Sequence, residues 1–416
     1  MTKPHKAVLN VSTIMALSIF GDSLLYAVFP LYAEQLGVPL VMVGVVLSIN
    51  RWIRLFSNQL AAKTFSTHSL YVPIILASVG AAISTGMYAF PIGIVGFLLA
   101  RMLWGVCFSY FRMGSYLVVL QTSRSVLGWA LGWSQAILRL GSTFTAIVGG
   151  YLVDQLGYNW TMLFMAIISG FAIPLSFVLK RQLPSDSQEP GEELVRGEEK
   201  TPGLKGRQGL SRGFCYAGAF VTHLIGSGLV TSSLALLLQE TMGQGVEIGS
   251  WTLGIATISG VVFSSHWLSA ILLSSWSGSF SDKQGRLIPF VMVTVVQGSL
   301  LLVLTNAASP WLSVISAILF FVSTNMQKIF LDAALGDTTD ATNRHFVTAR
   351  YNSYQDLGAA LGPLIGYGVA AVSGFNVAYA SGACALLLIG SFPILSQWRT
   401  SKTVPTGEKR EESRWK

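Results

Sequence analysis

Apolar runs of about twenty residues follow one another along nearly the whole chain, separated by short polar breaks. A run of that length matches the roughly 30 Å hydrocarbon core of a bilayer when it is helical, and only helices or closed barrels satisfy their own backbone there. Spans are expected near 8–33, 40–62, 69–90, 92–119, 125–153, 159–180, 213–239, 249–271, 287–305, 311–336, 347–371 and 375–396. The expected fold class is therefore an all-α integral membrane protein of twelve helices. With 11% charged residues against 52% hydrophobic ones, the chain sits far below the about 25% charge of soluble proteins. A soluble catalytic domain has no room.

The charges fix an orientation. Apart from the cations inside spans, Lys and Arg lie at span ends or in connections on one side, and the opposite connections carry the acids Glu34, Asp154, Glu240 and Glu247. Positive charge marks the cytoplasmic side, so both termini are expected there, in a cell (plasma or inner) membrane. The net charge of +8 is then topogenic, and no nucleic-acid partner is implied. Cys107, Cys215 and Cys384 lie in apolar spans without metal-like spacing, so neither disulfide, metal nor cofactor is expected. The basic residues Lys3 and Lys6 precede an apolar run without a small-residue cleavage site, which reads as a retained first helix.

One long break, 181–212, mixes charge with Pro, Gly and Ser and is too polar to fold alone. It divides the chain into a six-helix half at 1–180 and another at 213–396, with a flexible cytoplasmic linker between and a disordered tail at 397–416. The halves echo each other. Gly141 and Gly149 map onto Gly358 and Gly366 at one offset, which also places Arg139 on Asp356, and Arg112 falls on Lys328 at an offset one shorter.

The polar break Gly278-Ser-Phe-Ser-Asp282-Lys-Gln-Gly285-Arg286 has a degenerate copy at Ala62 to Leu70. Its G-x-x-x-D-x-x-G-R pattern resembles the loop motif between the second and third helices of each half in the major facilitator superfamily. Arg101-Met-Leu-Trp-Gly105 resembles the R-x-x-x-G motif of that family's fourth helix, with Trp104 where Gln is usual. Gly358-Ala-Ala-Leu-Gly362-Pro363-Leu-Ile-Gly366 matches the G-x-x-x-G-P-x-x-G core of its twelve-helix drug:proton antiporters, displaced here from the fifth helix to the eleventh; the fifth keeps Gly132, Gly141 and Gly149 but has Thr145-Ala146 for Gly-Pro. The resemblance implies two pseudo-symmetric halves, alternating access, and a cavity lined by the first, fourth, seventh and tenth helices. It also implies that Gly278, Asp282, Gly285 and Arg286 form a conformational latch.

A charge at mid-membrane depth costs a few kcal/mol, so it faces protein or a wet cavity and marks function by default. Asp22, Arg51, Arg54, Arg101, Arg112, Arg139, Lys328, Asp332 and Asp356 fall inside spans, six cations against three carboxylates. Arg101 and Arg112 are eleven residues apart and share a helix stripe. Asp22 and Arg101 are assigned to proton coupling: Asp22 takes a proton when substrate occupies Arg101 and releases it when the pair re-forms, against the blander reading of a permanent salt bridge to Arg51 or Arg101. Arg51, Arg112, Arg139 and Lys328 are assigned to substrate, with Lys328 and Asp332 spaced for a local i,i+4 pair. Arg54 and Asp356 are expected to gate between the halves. Gly358, Gly362, Pro363 and Gly366 are read as helix-packing positions. His223 and His266 read best as satisfied interior histidines, and the tryptophans Trp52, Trp104, Trp129, Trp133, Trp267 and Trp276 as anchors and packing.

No phosphate loop, HExxH or nucleophile elbow points to an enzyme. A channel or receptor is a weaker fit than a duplicated carrier. The expected function is proton-coupled efflux of a small anionic or zwitterionic amphiphile, a drug-like compound or a secreted chelator, by a monomer in the bilayer. Proton-coupled uptake of an organic anion is the alternative.

Overall fold

The computed structural model describes residues 3–123, 126–183, 210–248, 251–306, 309–339 and 344–402. Most of the 181–212 linker and the chain after 402 lie outside the described residues. The spans are α1 His5–Tyr32, α2 Leu40–Thr67, α3 Tyr71–Met87, α4 Gly93–Leu120, α5 Leu127–Leu156, α6 Tyr158–Gln182, α7 Arg212–Met242, α8 Ile255–Leu272, α9 Leu287–Thr305 and α10 Pro310–Asp337. A final helical stretch, Arg344–Lys402, is broken at Gly374 with φ 83°, a conformation glycine adopts without steric cost. The break makes two spans of it, α11 (344–373) and α12 (375–402), and twelve spans result. With α3 at 17 residues, each span has a length that suits a bilayer.

Two local departures from the sequence expectation stand out. The segment before α8 folds as a hairpin, Gly245–Ile248 paired antiparallel with Trp251–Gly254, so α8 begins at Ile255 instead of 249. The motif segment is helical over Ser274–Gln284 and turns only at Gly285, with φ 84°. Its polar residues sit at the end of α8, where the chain leaves the apolar layer.

The two sides of the molecule are named here by their charge: the basic side holds the ends of α2, α4 and α10, the acid side their starts. On the acid side one apolar cluster joins the halves, running from Phe20, Leu24 and Val28 through Val46 and Ala146 to Leu229, Phe263 and Tyr379. Towards the basic side the core divides. The first half packs Val8, Ile14, Trp104 and Phe111 around one centre, and the second packs Phe214, Phe290, Phe330 and Tyr351 around another.

Contacts between halves follow the same division. α5 and α8 run antiparallel, and a β-carbon at Gly150 or Gly260 would overlap the carbonyl of Ala256 or Ala146 respectively. Asp154, on the last turn of α5, accepts hydrogen bonds from Ala256 N at 3.3 Å, Thr257 N at 2.8 Å and Thr257 Oγ1. A carboxylate from one half thereby caps a helix of the other, because the first-turn N–H groups of α8 have no intrahelical acceptor. On α2, Gly44 lies against the carbonyl of Pro363. Gly260→Val is expected to force α5 and α8 apart: cysteines placed at 154 and 256 should form a disulfide in the parent and fail to form one in this variant, and unaltered cross-linking would show that the close approach is not needed.

Within the second half, Gly358 lies on the Phe220 carbonyl, Gly362 on the Leu224 carbonyl and Gly366 on the Leu229 side chain, so these small residues of α11 seat it on α7. The α7 backbone there is π-helical over His223–Val230, and π-turns are frequent at functional positions. Hydroxyls satisfy the displaced carbonyls: Thr231 donates to Gly226 O at 2.7 Å and Ser233 to Leu229 O at 2.7 Å.

Candidate functional site

Asp22 lies in the first turn after an interruption of α1 at Ile19. Its Oδ1 pairs with Arg101 Nη1. Arg101 on α4 has no exposed surface at all, and its remaining donors go to Tyr26 OH at 3.0 Å, Val46 O at 3.4 Å and Leu47 O at 3.5 Å. A buried guanidinium needs this saturation, since an unpaired charge at such depth is costly. Asp22 differs. Its side chain keeps 14% exposure, and among the described residues nothing hydrogen-bonds its Oδ2. Contact with the pair from outside therefore comes through Asp22.

The Tyr26 ring stands between two guanidiniums, with Arg101 Cζ 5.2 Å and Arg51 Cζ 5.9 Å from its centroid, in the range of cation–π attraction. Arg51 crosses to the other half and donates to Ser227 O at 3.1 Å, on the π-helical stretch of α7. No carboxylate pairs with Arg51 among the described residues.

Nearer the basic side, Asp356 on α11 receives two cations of the first half, Arg54 at 3.7 Å and Arg112 at 3.9 Å. Arg54 also lies over the Phe108 ring at 5.0 Å. Both distances exceed direct hydrogen bonding, so the acid is shared loosely between α2 and α4. Lys328 pairs with Asp332 one turn on at 2.6 Å, and Asp332 accepts from Tyr351 OH at 2.8 Å. That lysine is locally neutralised and about two-fifths exposed.

Arg139 on α5 has no acceptor for its guanidinium among the described residues and remains partly exposed. His266 on α8 lies within electrostatic reach of Arg139, His223 and Lys328. Asn325 Nδ2 ties α10 to His266 Nδ1 at 3.3 Å and to Ser269 Oγ at 2.8 Å, while His223 Nδ1 is bonded to Ala219 O at 2.9 Å. Three carboxylates thus meet six cations, with Arg51, Arg139 and half of the Arg54/Arg112 couple uncompensated.

The motif at the end of α8 lies apart from this cavity. Arg286 bonds Asp282 at 2.6 Å within the motif and Asp337 at 2.7 Å on the last turn of α10. Those hydrogen bonds, Asp337 first, raise the arginine's pKa. Gly278 and Gly285 have open space around them, so close packing does not explain them; Gly285 makes the turn.

Sequence reasoning missed Tyr26, Asp337, Tyr351 and the capping role of Asp154. Two of these left a trace. Tyr26 is four residues from Asp22, the same helix face, and Asp337 lies at the repeat offset from Gln121. Tyr351 and the donors to Asp154 come together only through folding.

Twelve spans in two halves, with one shared apolar core on the acid side and two separate cores towards the basic side, surround charged residues as a membrane carrier does. The family model for the Major Facilitator Superfamily matches residues 11–327 and 252–416, and the chain belongs to that superfamily. Among curated proteins it is similar to multidrug resistance protein MdtG of Dickeya zeae, 26% identical over 402 residues and 91% of each chain. The MdtG of Salmonella schwarzengrund is 25% identical over 86% of this chain and 87% of its own. In fold it is similar to a bacterial homologue of the human lysosomal transporter Spinster in an inward-facing, occupied conformation, with a TM-score of 0.75, 12% identity and coverage of 96% and 97%. A POT family transporter in complex with 5-aminolevulinic acid gives a TM-score of 0.74 at 11% identity, covering 95% and 96%. The chain is a multi-pass membrane transporter.

Proposed function

We propose that this protein exports a small anionic or zwitterionic amphiphile across the inner membrane in exchange for protons, working as a monomer with its basic side and both termini in the cytoplasm. The observation that carries the reading is the asymmetry of the Asp22–Arg101 pair. One member is sealed and saturated, and the other holds an oxygen free towards the cavity. Because Arg101 is sealed, the competition moves from that arginine, where the sequence places the solute, to its partner: a proton and the basic group of a zwitterionic solute would compete for Oδ2 of Asp22, which makes their occupancy exclusive, as exchange requires. Neutralising Asp22 also loosens its hold on Arg101, whose lost partner changes the contact between α1 and α4.

The uncompensated cations supply the complementary half of the recognition. Arg51, Arg139 and, on the approach from the basic side, Arg112 offer positive charge to an acidic group, with Lys328 held in reserve by Asp332. Arg54 and Asp356 link the halves towards the basic side and would tighten as the halves close on that side. The Asp282–Arg286–Asp337 cluster is read as the latch that holds α8 and α10 in one arrangement. Support for export comes from the relatives, which are named multidrug resistance proteins.

The deciding measurement uses proteoliposomes containing the purified protein, with an imposed pH gradient and a lumenal pH dye. Proton flux opposite to solute flux is expected. Movement of both in one direction would instead establish uptake of an organic anion with protons, and the exchange mechanism would be wrong.

A further inference from the structure

The register of α5 against α8 carries further than the contacts that define it. Ala146 opposes Gly260, and Gly150 opposes Ala256; these antiparallel pairs set which residues meet two turns deeper. Seven positions back along α5 is Arg139, and seven positions on along α8 is Trp267, with His266 beside it. The helical repeat keeps such positions on the same face. Asn325 then fixes the third wall by bonding His266 and Ser269 from α10.

The chemistry of that corner is specific. Arg139 brings a planar guanidinium with no acceptor among the described residues, and no carboxylate of α5 or α8 approaches it. Of the two acids on the third wall, Asp332 is bonded to Lys328 and Tyr351 and Asp337 to Arg286. His266 has Phe321 at 5.3 Å and Trp267 at 6.2 Å between ring centroids, so aromatic surface adjoins the histidine. A guanidinium binds a carboxylate through two parallel hydrogen bonds, and an aromatic wall suits a flat apolar body.

We propose that Arg139, His266 and Trp267 form a subsite, at the seam between the halves, for the carboxylate end of an aromatic carboxylate solute. This rests on the reading of the cavity as a substrate path and names the class of substrate it accepts. Because α5 belongs to one half and α8 to the other, a solute bound here touches both moving bodies. Arg139 supplies the charge, His266 a hydrogen-bonding ring, and Trp267 the apolar face.

The test is equilibrium binding to the full chain in detergent by titration calorimetry, with 1-naphthoate and its neutral isostere 1-naphthamide as probes. The parent should prefer naphthoate by at least about tenfold, the worth of one hydrogen bond to a charged group. Arg139→Gln should erase that preference while leaving naphthamide affinity and the melting temperature as they were, and Arg139→Lys should restore part of it. A parent without preference, a parent that binds no naphthoate, or an Arg139→Gln variant that keeps the preference would each overturn the proposal. No gradient is applied, so failure of proton exchange in vesicles leaves this result standing, and the reverse holds equally.

Discussion

Asp22→Asn is expected to abolish transport driven by a pH gradient in reconstituted vesicles while the protein still folds. Asparagine keeps an oxygen where Oδ1 accepts from Arg101, so the hydrogen bond between α1 and α4 is retained although the guanidinium loses its counter-ion. What disappears is the ability to bind and release a proton. Arg101 also keeps its bonds to Tyr26, Val46 and Leu47. The variant should fold with a lowered melting temperature, because the buried Arg101 charge loses its counter-ion, still bind solute, and show no proton movement when solute is added to dye-loaded vesicles. Parent-like pH-driven transport would remove Asp22 from the coupling step.

Arg101→Met carries the other large effect, and on a different quantity. Removing one partner of a buried ion pair leaves the other charge uncompensated, at a cost of about 3–5 kcal/mol. Here the loss also removes the guanidinium's bonds to Tyr26 on α1 and to Val46 and Leu47 on α2. Thermal unfolding in detergent should show a sharply lower melting temperature. Combining it with Asp22→Asn should recover much of the loss, because replacing both charges of a buried pair comes close to neutral. A single variant that melts with the parent would mean that the pair contributes nothing to holding α1, α2 and α4 together.

The fold was legible because the bilayer imposes a length. Each span needs its own apolar run, and the structure places helices where the runs lie, down to the short α3. The charge asymmetry and the repeat offset imply two duplicated halves, and the Gly278–Arg286 pattern resembles the loop motif of one superfamily. What stayed hidden has a common cause. The hairpin at Gly245–Gly254 has too many apolar residues to be told from the start of a span by hydropathy, and the helical form of Ser274–Gln284 looks like a turn because its residues are small and polar.

Within the site, the charged residues announced themselves by their cost, while their pairing did not. Asp22 with Arg101, and Asp356 with both Arg54 and Arg112, are contacts between helices that sequence separation leaves open. Arg139 stands out for the opposite reason: its offset partner in the other half, Asp356, is engaged elsewhere. Asp154 read as one more acid on the acid side, since its donors at Ala256 and Thr257 are about a hundred residues away. Small hydroxyl residues around the π-helical stretch of α7 gave no signal either, because serine and threonine are ordinary in membrane helices.

The cap that Asp154 lends to α8 makes separation of those two helices a wetting event. The amides of Ala256 and Thr257 must always have an acceptor, and once the carboxylate withdraws, only water is at hand to replace it. Hydration of that seam therefore accompanies its first opening, and a solute leaving by this route moves into an already aqueous crevice.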